Sequence, residues 1–304
     1  MLDNLPQRVT VFEVGPRDGL QNERALLPAQ SKVDLISALS GTGLTRIEVT
    51  SFVSPKWIPQ LADADEVARA LPRRDGVAFS ALVPNERGLE RAREAGIGAV
   101  AVFLSSSDTH SLKNIHKDLK SALAGYQTVC AEAARLQMQV RGYVSTVWGC
   151  PYEGEIPVER SVRAAESLLE FGCSQISLGD TIGVGTPRQT EKILSQMLAR
   201  IPAAQLAMHM HDTRGTALAN VLVGLQMGLT TFDASVGGLG GCPYAPGAAG
   251  NLATEDLVYM LHGMGVQTGV QLDALVGAGR LAQRLTGREL PGKYLKAALG
   301  DTSP

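Results

Sequence analysis

The sequence feature that most constrains the fold is a regular alternation of short apolar, β-branched segments with helical patterns. This alternation is typical of parallel βαβ units. Because eight parallel strands with intervening helices close into a barrel, the count of such segments predicts an α/β fold, a (β/α)8 TIM barrel. The eight predicted strands are Arg8–Val14, Arg46–Thr50, Val77–Val83, Ala99–Leu104, Gln139–Ser145, Gln175–Leu178, Leu206–His211 and Thr231–Val236.

A helical pattern follows each predicted strand, and one additional C-terminal helix is predicted from Leu272 to Leu285. Eight-unit barrels use about this length as one domain, so residues 1–304 are interpreted as a single catalytic domain in which 265–304 form a helical extension. Glycines that can adopt a left-handed cap are predicted to close helices at Gly41, Gly96, Gly172 and Gly228. The predicted helices are Ala29–Ser40, Ala64–Leu71, Glu86–Ala95, Lys117–Leu136, Val158–Phe171, Arg188–Ala199, Thr216–Met227 and Thr254–Met264.

Composition argues against several classes of function. A net charge of -2 provides no basic field for nucleic acid or an anionic membrane, and the 5% aromatic content offers few stacking surfaces for bases. The longest apolar run, Gly98 to Leu104, is too short to span a bilayer. The four cysteines show neither zinc-knuckle spacing nor disulfide density, and the N-terminus resembles no leader. We therefore expect a cytoplasmic protein that binds neither nucleic acid nor membranes.

Polar residues recur where the predicted strands end. Arg17 and Asp18 follow the first strand, Glu48 lies near the end of the second, and Asp180 follows the sixth. Chemistry in TIM barrels collects at the carboxyl ends of the strands. Arg17 at this position could stabilise negative charge on a substrate carbonyl, or it could be a surface guanidinium paired with Asp18. For Glu48 and Asp180, structural and catalytic roles remain equally open.

The seventh strand carries a pair of histidines that indicates a metal site. His209 and His211 are two residues apart, so their imidazoles lie on the same face of a strand and could share one ion. The alternative is two unrelated, hydrogen-bonded histidines. Asp18 strengthens the metal interpretation, since a carboxylate with two imidazoles is a common catalytic ligand set. Completion by oxygen ligands, Asn251 and substrate, favours Mg²⁺ or Mn²⁺ over zinc.

A glycine-rich segment, Gly237 to Asn251, follows the eighth strand. Its composition predicts a mobile lid, and the alternative is a loop that cradles phosphate. Cys242 within it could exchange a proton with substrate once the lid has excluded water. Cys150, in the other Gly-Cys-Pro-Tyr segment, is the competing thiol. Cys130 and Cys173 are interpreted as small core residues.

At this level of detail the chain resembles the 3-hydroxy-3-methylglutaryl-CoA lyase family, within the superfamily of metal-dependent lyases and Claisen-type TIM barrels. The similarity covers most of the chain from residue 11 to 264. The segments that carry it are GPRDGLQNE (Gly15–Glu23), IEVTSFVSPKWIPQ (Ile47–Gln60), RGYVS (Arg141–Ser145), GCPYEG (Gly149–Gly154), SLGDTIGVGTP (Ser177–Pro187), HMHDT (His209–Thr213) and GGLGGCPYAPGAAGNLATEDLVYML (Gly237–Leu261).

The resemblance implies cleavage of 3-hydroxy-3-methylglutaryl-CoA to acetyl-CoA and acetoacetate, a ketone body and a product of leucine breakdown. It implies an acyl-CoA substrate, a homodimer, Arg17 at the thioester carbonyl, Cys242 as the lid thiol, and support of catalysis by Glu48 and Asp180. His209 or Asp18 is the expected base. The implied metal ligands are Asp18, His209, His211 and Asn251, and the implied substrate contacts are Arg17, Gln21, Arg141 and Ser177.

Other functions stay open within and outside this chemistry. One is a lyase for a longer branched 3-hydroxyglutaryl-CoA, since Trp148 precedes the GCPYEG segment where a bulky aromatic is unusual. Another is a Claisen-type condensing enzyme, although Leu20 argues against it. A third is a barrel that binds acyl-CoA without turning it over. Basic residues that could contact CoA phosphates, or be solvated surface charges, are Arg24, Lys56, Lys113 and Lys117.

Overall fold

The computed structural model describes residues 5–72, 74–241 and 250–300. Eight parallel strands pair in chain order, and β1 also pairs with β8, which closes the barrel. The predicted fold is therefore confirmed, and each predicted strand is found with ends shifted by a few residues. The strands are β1 Thr10–Glu13, β2 Arg46–Ser51, β3 Ala78–Leu82, β4 Ala99–Ser105, β5 Gln139–Ser145, β6 Gln175–Asp180, β7 Leu206–Met210 and β8 Thr231–Ala234.

Helices surround the barrel, and an apolar core fills the space between the two layers. The additional C-terminal helix, α10, is present and packs against α1. The assignment of residues 1–304 to a single domain with 265–304 as a helical extension stays a prediction. Within the described residues, no helix combines the length and apolar character needed to cross a membrane. The helices are α1 Ala29–Ser40, α2 Ala64–Arg69, α3 Glu86–Glu94, α4 Asp108–Ile115, α5 Leu119–Arg135, α6 Val158–Glu170, α7 Pro187–Leu198, α8 Ala217–Gln226, α9 Thr254–Gly263, α10 Leu272–Thr286 and α11 Lys293–Gly300.

Two helices, α4 and α11, were not predicted. The α4 sequence is largely polar, and its N-terminus is capped by the Ser107 hydroxyl, which accepts the N–H of His110 at 3.0 Å. The α11 N-terminus is held by Asp256, which accepts the N–H groups of Lys293 at 3.0 Å and Tyr294 at 2.6 Å. The cap of α4 is local in the sequence, whereas Asp256 is 37 residues from Lys293, so the start of α11 depends on a tertiary contact.

Gly41 closes α1 as predicted, but the left-handed conformation predicted for it is wrong. Gly96, Gly172 and Gly228 have positive φ as expected, but Gly41 has φ of -80°. The left-handed residue at this turn is Gly43, with φ of +92°, and a Cβ there would lie 2.2 Å from the carbonyl oxygen of Gly269. The close approach of the 269 loop thus decides which glycine bears the unusual conformation.

Two buried carboxylates lie beneath the loop that leads out of β8. Glu13, at the end of β1, accepts the N–H of Val236 at 2.9 Å, and Glu255, in the first turn of α9, accepts the N–H of Gly237 at 2.6 Å. Burial raises the pKa of Glu13 to about 7 and that of Glu255 to about 8. The side chain of Glu255 is therefore held mostly protonated at neutral pH.

Glu255→Gln is expected to reduce the pH dependence of stability. The carboxyl of Glu255 ionises near its ordinary pKa of 4.5 in the unfolded chain, but only near pH 8 in the folded protein. The stability that it contributes is fully present below pH 4.5 and is lost as the pH rises towards 8. Denaturant melts at pH 5 and pH 8 should show a difference in unfolding free energy that is smaller in the variant by on the order of 2 kcal/mol.

The matched control is Glu289→Gln, since the Glu289 side chain is 86% exposed and faces Lys296 at 3.8 Å. This variant should keep the wild-type difference between the two pH values. A difference in Glu255→Gln equal to that of the wild type would contradict a protonated, buried Glu255.

Candidate active site and metal centre

A cavity of about 460 Å³ opens at the carboxyl end of the strands. Leu82, Phe103 and Ile58 give it apolar surface, and charged and imidazole groups give it polar surface. The barrel thus brings together predicted groups from three different strand ends, those of β1, β6 and β7. The predicted site residues that line the cavity are Arg17, Asp18, Gln21, Ser177, His209 and His211.

The loop after β1 forms one wide helical turn, Gly15–Gly19, that carries Arg17 and Asp18. The N–H groups of these two residues donate to the Val14 carbonyl at 3.1 and 2.7 Å. Both glycines are required by space: a Cβ on Gly15 would lie 2.6 Å from the Glu13 carboxylate, and one on Gly19 would lie 2.9 Å from a backbone carbonyl. Tight packing of this turn therefore aims Arg17 and Asp18 at the cavity.

Asp18, His209 and His211 form a buried cluster whose ligand atoms all lie within 4.8 Å of one another. The Nε2 atoms of the two histidines are 3.3 Å apart, and Nε2 of His209 is 3.7 Å from Asp18 Oδ2. The spacing of two residues on β7 places both imidazoles on the barrel interior, as predicted. One carboxylate oxygen and two imidazole nitrogens thus face a common point.

The protonation states of Asp18 and His211 fit a divalent cation. Burial raises the pKa of Asp18, but Arg17 and the two histidines outweigh it and bring the pKa to about 2. Burial and the neighbouring His209 lower the pKa of His211 to about 4. At neutral pH Asp18 is ionised and His211 is neutral, so each offers a lone pair. This mixed oxygen and nitrogen set suits a divalent metal.

Asn251 lies next to the cluster. Its backbone bridges His211, and its amide nitrogen donates to Asp18 Oδ2 at 2.9 Å. An amide ligates a metal through its oxygen, the other end of the same group. Asn251 is thus in place to complete the ligand set by rotation of its side chain.

Arg17 lies between two carboxylates. Its Nε donates to Glu48, and its Nη1 donates to Asp18 at 2.6 Å. Burial lowers the pKa of the guanidinium, but the two carboxylates outweigh it and raise that pKa above its usual range. Tyr143 also donates to Glu48, at 3.2 Å. Glu48 therefore holds Arg17 and does not line the cavity itself.

Sequence reasoning missed Asp233, which lies on β8 and pairs in register with His209. Its Oδ2 is 3.3 Å from His209 Nδ1, and it forms a two-point ion pair with Arg141 at 2.7 and 3.0 Å. The available signal was a carboxylate within the apolar segment Thr231–Val236. Arg141, predicted to contact substrate, faces Asp233 and lines a second cavity of about 270 Å³ at the amino end of the barrel.

A profile of the HMGL-like family matches residues 8–281. The chain belongs to the HMGL-like family. It is 53% identical over 291 residues to a hydroxymethylglutaryl-CoA lyase of Bacillus subtilis (strain 168), covering 96% of this chain and 97% of that relative. The resemblance predicted from the sequence motifs is thereby confirmed.

Solved structures of HMGL-like relatives have the same fold. The crystal structure of the Bacillus subtilis HMG-CoA lyase superposes with a TM-score of 0.96 at 52% identity, covering 97% of this chain and 99% of the other. An HMG-CoA lyase from Acinetobacter baumannii, solved in complex with coenzyme A and 3-methylmalate, gives a TM-score of 0.92 at 41% identity and 98% coverage of both chains.

In this HMGL-like chain Asp180 is hydrogen-bonded to the backbone of the loop that follows β6. Its carboxylate accepts the N–H groups of Val184 at 3.0 Å and Gly185 at 2.9 Å, and it is not among the described residues that line the cavity. Burial raises the pKa of Asp180 to about 6, although these hydrogen bonds lower it. The geometry assigns Asp180 to the loop after β6, and its support of catalysis stays a prediction.

The predicted lid thiol, Cys242, falls within 242–249 and so lies outside the described residues. The competing thiol of Cys150 is buried, donates to the Ser107 hydroxyl at 3.1 Å and is not among the residues that line the cavity. Cys130 and Cys173 are buried in the apolar core, as predicted, with their sulfur atoms 4.0 Å apart.

Trp148 is not part of the cavity lining among the described residues. Its ring is fully buried in the apolar core, and its Nε1 donates to Thr190 at 2.9 Å. The bulky aromatic therefore fills space against α7 and does not line the cavity. Of the four basic residues considered for CoA phosphates, Lys113 lines the cavity, with its Nζ 4.4 Å from the centre of the Tyr152 ring.

Proposed function

We propose that this protein cleaves 3-hydroxy-3-methylglutaryl-CoA to acetyl-CoA and acetoacetate by a retro-aldol reaction that requires a divalent metal. The observation that carries the proposal is the convergence of Asp18, His209 and His211 within 4.8 Å, beside the guanidinium of Arg17. Further support comes from membership of the HMGL-like family and from relatives named as lyases of this substrate. Acetoacetate release with and without a chelator tests it.

The ion would be held by Asp18, His209, His211 and, through its amide oxygen, Asn251. When bound, a divalent metal such as Mg²⁺ or Mn²⁺ lowers the pKa of a substrate hydroxyl that it contacts. The cluster is buried at the base of the cavity, so substrate that fills the cavity also keeps water from the reacting bonds.

The reaction begins with loss of the proton on the C3 hydroxyl. His209 or Asp18 accepts it. Burial lowers the pKa of His209, but the hydrogen bond to Asp233 and the charge of Asp18 raise it above the ordinary value, so His209 has the higher proton affinity of the two. The Nε2 atom offers one lone pair, for the ion or for the proton. If that lone pair were used to hold the ion, Asp18 would accept the proton.

As C3 becomes a ketone, the C2–C3 bond breaks and its electron pair moves into the thioester, which becomes an enolate. Arg17 supports this charge, because it lines the cavity and its guanidinium is held in place through Nε by Glu48 and through Nη1 by Asp18. A fixed donor of this kind needs no reorganisation during the reaction. Protonation of C2, which we assign to Cys242, then yields acetyl-CoA.

Cys242→Ser is expected to retain metal and substrate binding and to lose turnover by ~10² or more, the usual scale for an acid–base group. A hydroxyl is a much weaker acid than a thiol, so proton delivery slows while shape is preserved. Steady-state acetoacetate formation measures the loss. Cys150→Ser, at a buried thiol bonded to Ser107, should keep turnover near that of the wild type. Near-normal turnover of Cys242→Ser would remove this cysteine from the mechanism.

The same assay separates this proposal from its alternatives. A longer branched 3-hydroxyacyl-CoA as substrate tests acyl-chain tolerance, and consumption of acetyl-CoA with acetoacetate tests the condensing direction. Binding of acyl-CoA without any product would indicate a non-catalytic barrel. Roles in leucine breakdown and ketone-body formation are part of the proposal, since acetoacetate is the product. The cytoplasmic location and the homodimer stay predictions.

A further inference from the structure

We propose that Asp233 and Arg141 are positioning residues that fix the tautomer and orientation of His209. The inference rests on the proposed metal centre, because it concerns the nitrogen that faces it. Asp233 lies on β8 and is buried, and its Cα is in register with that of His209 on β7. The Asp233 carboxylate therefore meets the imidazole from the side opposite Asp18.

The hydrogen-bond pattern makes Asp233 an acceptor at both oxygens. Arg141 Nη2 donates to Oδ1 at 2.7 Å, while Arg141 Nη1 and the Ser177 hydroxyl donate to Oδ2 at 3.0 and 2.7 Å. An arginine side chain can only donate. The third group at Oδ2, His209 Nδ1 at 3.3 Å, must therefore bring its own hydrogen.

A hydrogen on Nδ1 leaves the lone pair of neutral His209 on Nε2. That atom is the one that faces the cluster, 3.3 Å from His211 Nε2 and 3.7 Å from Asp18 Oδ2. A carboxylate that accepts a hydrogen bond from one ring nitrogen of a histidine sets which ring nitrogen keeps its lone pair. Loss of such a partner usually lowers metal affinity or activity by roughly 10- to 100-fold. Asp233 thus presents the lone pair that the proposed site requires.

Arg141 fixes the carboxylate in turn. Its planar guanidinium holds both oxygens of Asp233, donates through Nε to Gln175 at 3.2 Å and through Nη1 to Tyr143 at 3.1 Å. A two-point pair defines the plane of the carboxylate, which a single lysine-like charge would not. The residue predicted to contact substrate therefore acts from beneath the site, through Asp233.

The test is Asp233→Asn, which keeps the shape of the side chain. The amide offers one acceptor oxygen to the four groups that surround the carboxylate, Arg141 Nη1 and Nη2, the Ser177 hydroxyl and His209 Nδ1, so it holds Nδ1–H less well and the tautomer with hydrogen on Nε2 gains population. Titration of the metal-free protein with Mn²⁺, followed by electron paramagnetic resonance, should show affinity reduced by about 10- to 100-fold. ¹⁵N NMR of the imidazole should show Nδ1–H in the wild type and Nε2–H in the variant.

Asp256→Asn is the matched control, since this carboxylate is also buried but caps α11 and lies outside the catalytic and binding machinery. It should leave Mn²⁺ affinity and the His209 tautomer unchanged. A folded Asp233→Asn protein with wild-type Mn²⁺ affinity would overturn the inference while leaving the metal centre intact. Wild-type protein that binds no Mn²⁺ would instead refute the proposed metal centre. If Asp233→Asn does not fold, a neutral wild-type His209 with hydrogen on Nε2 alone would still overturn the inference.

Discussion

Replacing His209 by alanine is expected to remove both metal binding and turnover. His209 is buried, its Nε2 faces Asp18 and His211, and no neighbouring side chain in the described cluster can replace that nitrogen. Loss of one of the four proposed protein ligands together with a candidate base should lower turnover by ~10³ or more and Mn²⁺ affinity by at least ~10². Metal titration and acetoacetate formation at saturating substrate measure the two effects separately.

The control for this experiment is His262→Ala. His262 is on α9, is exposed, and faces Thr268 at 2.9 Å, near the amino end of the barrel. It should retain wild-type metal affinity and turnover. If His209→Ala also retained both, the ligand set would be discredited, and the interpretation of the two histidines as unrelated, hydrogen-bonded groups would be favoured.

Arg17→Gln is expected to separate turnover from metal binding. The substitution leaves Asp18, His209 and His211 in place but removes the donor that stabilises the enolate oxygen, so turnover should fall by ~10² to 10³. It also leaves Glu48 buried without its cationic partner, so the unfolding free energy should fall by about 3 kcal/mol. The turnover number, Mn²⁺ affinity and a thermal melt report these three quantities.

Two further variants sharpen the assignment of Arg17. Arg17→Lys keeps the positive charge but lacks the planar guanidinium that donates to both Glu48 and Asp18. Compared with Arg17→Gln, it should therefore restore more of the unfolding free energy than of the turnover. Arg288→Gln removes a comparable ion pair, the one between Arg288 and Glu23. The Arg288 side chain is 39% exposed, and this variant should leave turnover unchanged. Turnover of Arg17→Gln within a few-fold of the wild type would show that the guanidinium only balances the buried carboxylates.

Much of the site could be predicted because its signals are local. The two imidazoles of His209 and His211 share a face since a strand repeats every two residues, and any parallel barrel gathers its strand ends at one rim. Asp18 follows the first strand directly, so its place at that rim required no knowledge of packing. The predicted number and order of strands were therefore enough to place the proposed metal ligands of β1 and β7 at the same end of the barrel.

Other contacts of the site could not be predicted because they form across the barrel. Arg141 and Asp233 are 92 residues apart, and no local pattern indicates that one pairs with the other. Asp180 occurs beside polar residues at the same rim, yet its carboxylate turns to the N–H groups of the loop after β6. Trp148 similarly packs into the core against Thr190, although its position before the GCPYEG segment had kept a longer substrate open.

The sequence by itself determined the barrel, the rim at which chemistry occurs, and the face of β7 that carries the two imidazoles. These follow from periodicity and element order, which are properties of neighbouring residues. Only the tertiary structure decided which carboxylate lies behind His209 and which arginine holds it. The reason is that the direction of a side chain inside a closed barrel depends on the register between strands distant in the chain, and on the charges that burial forces into pairs.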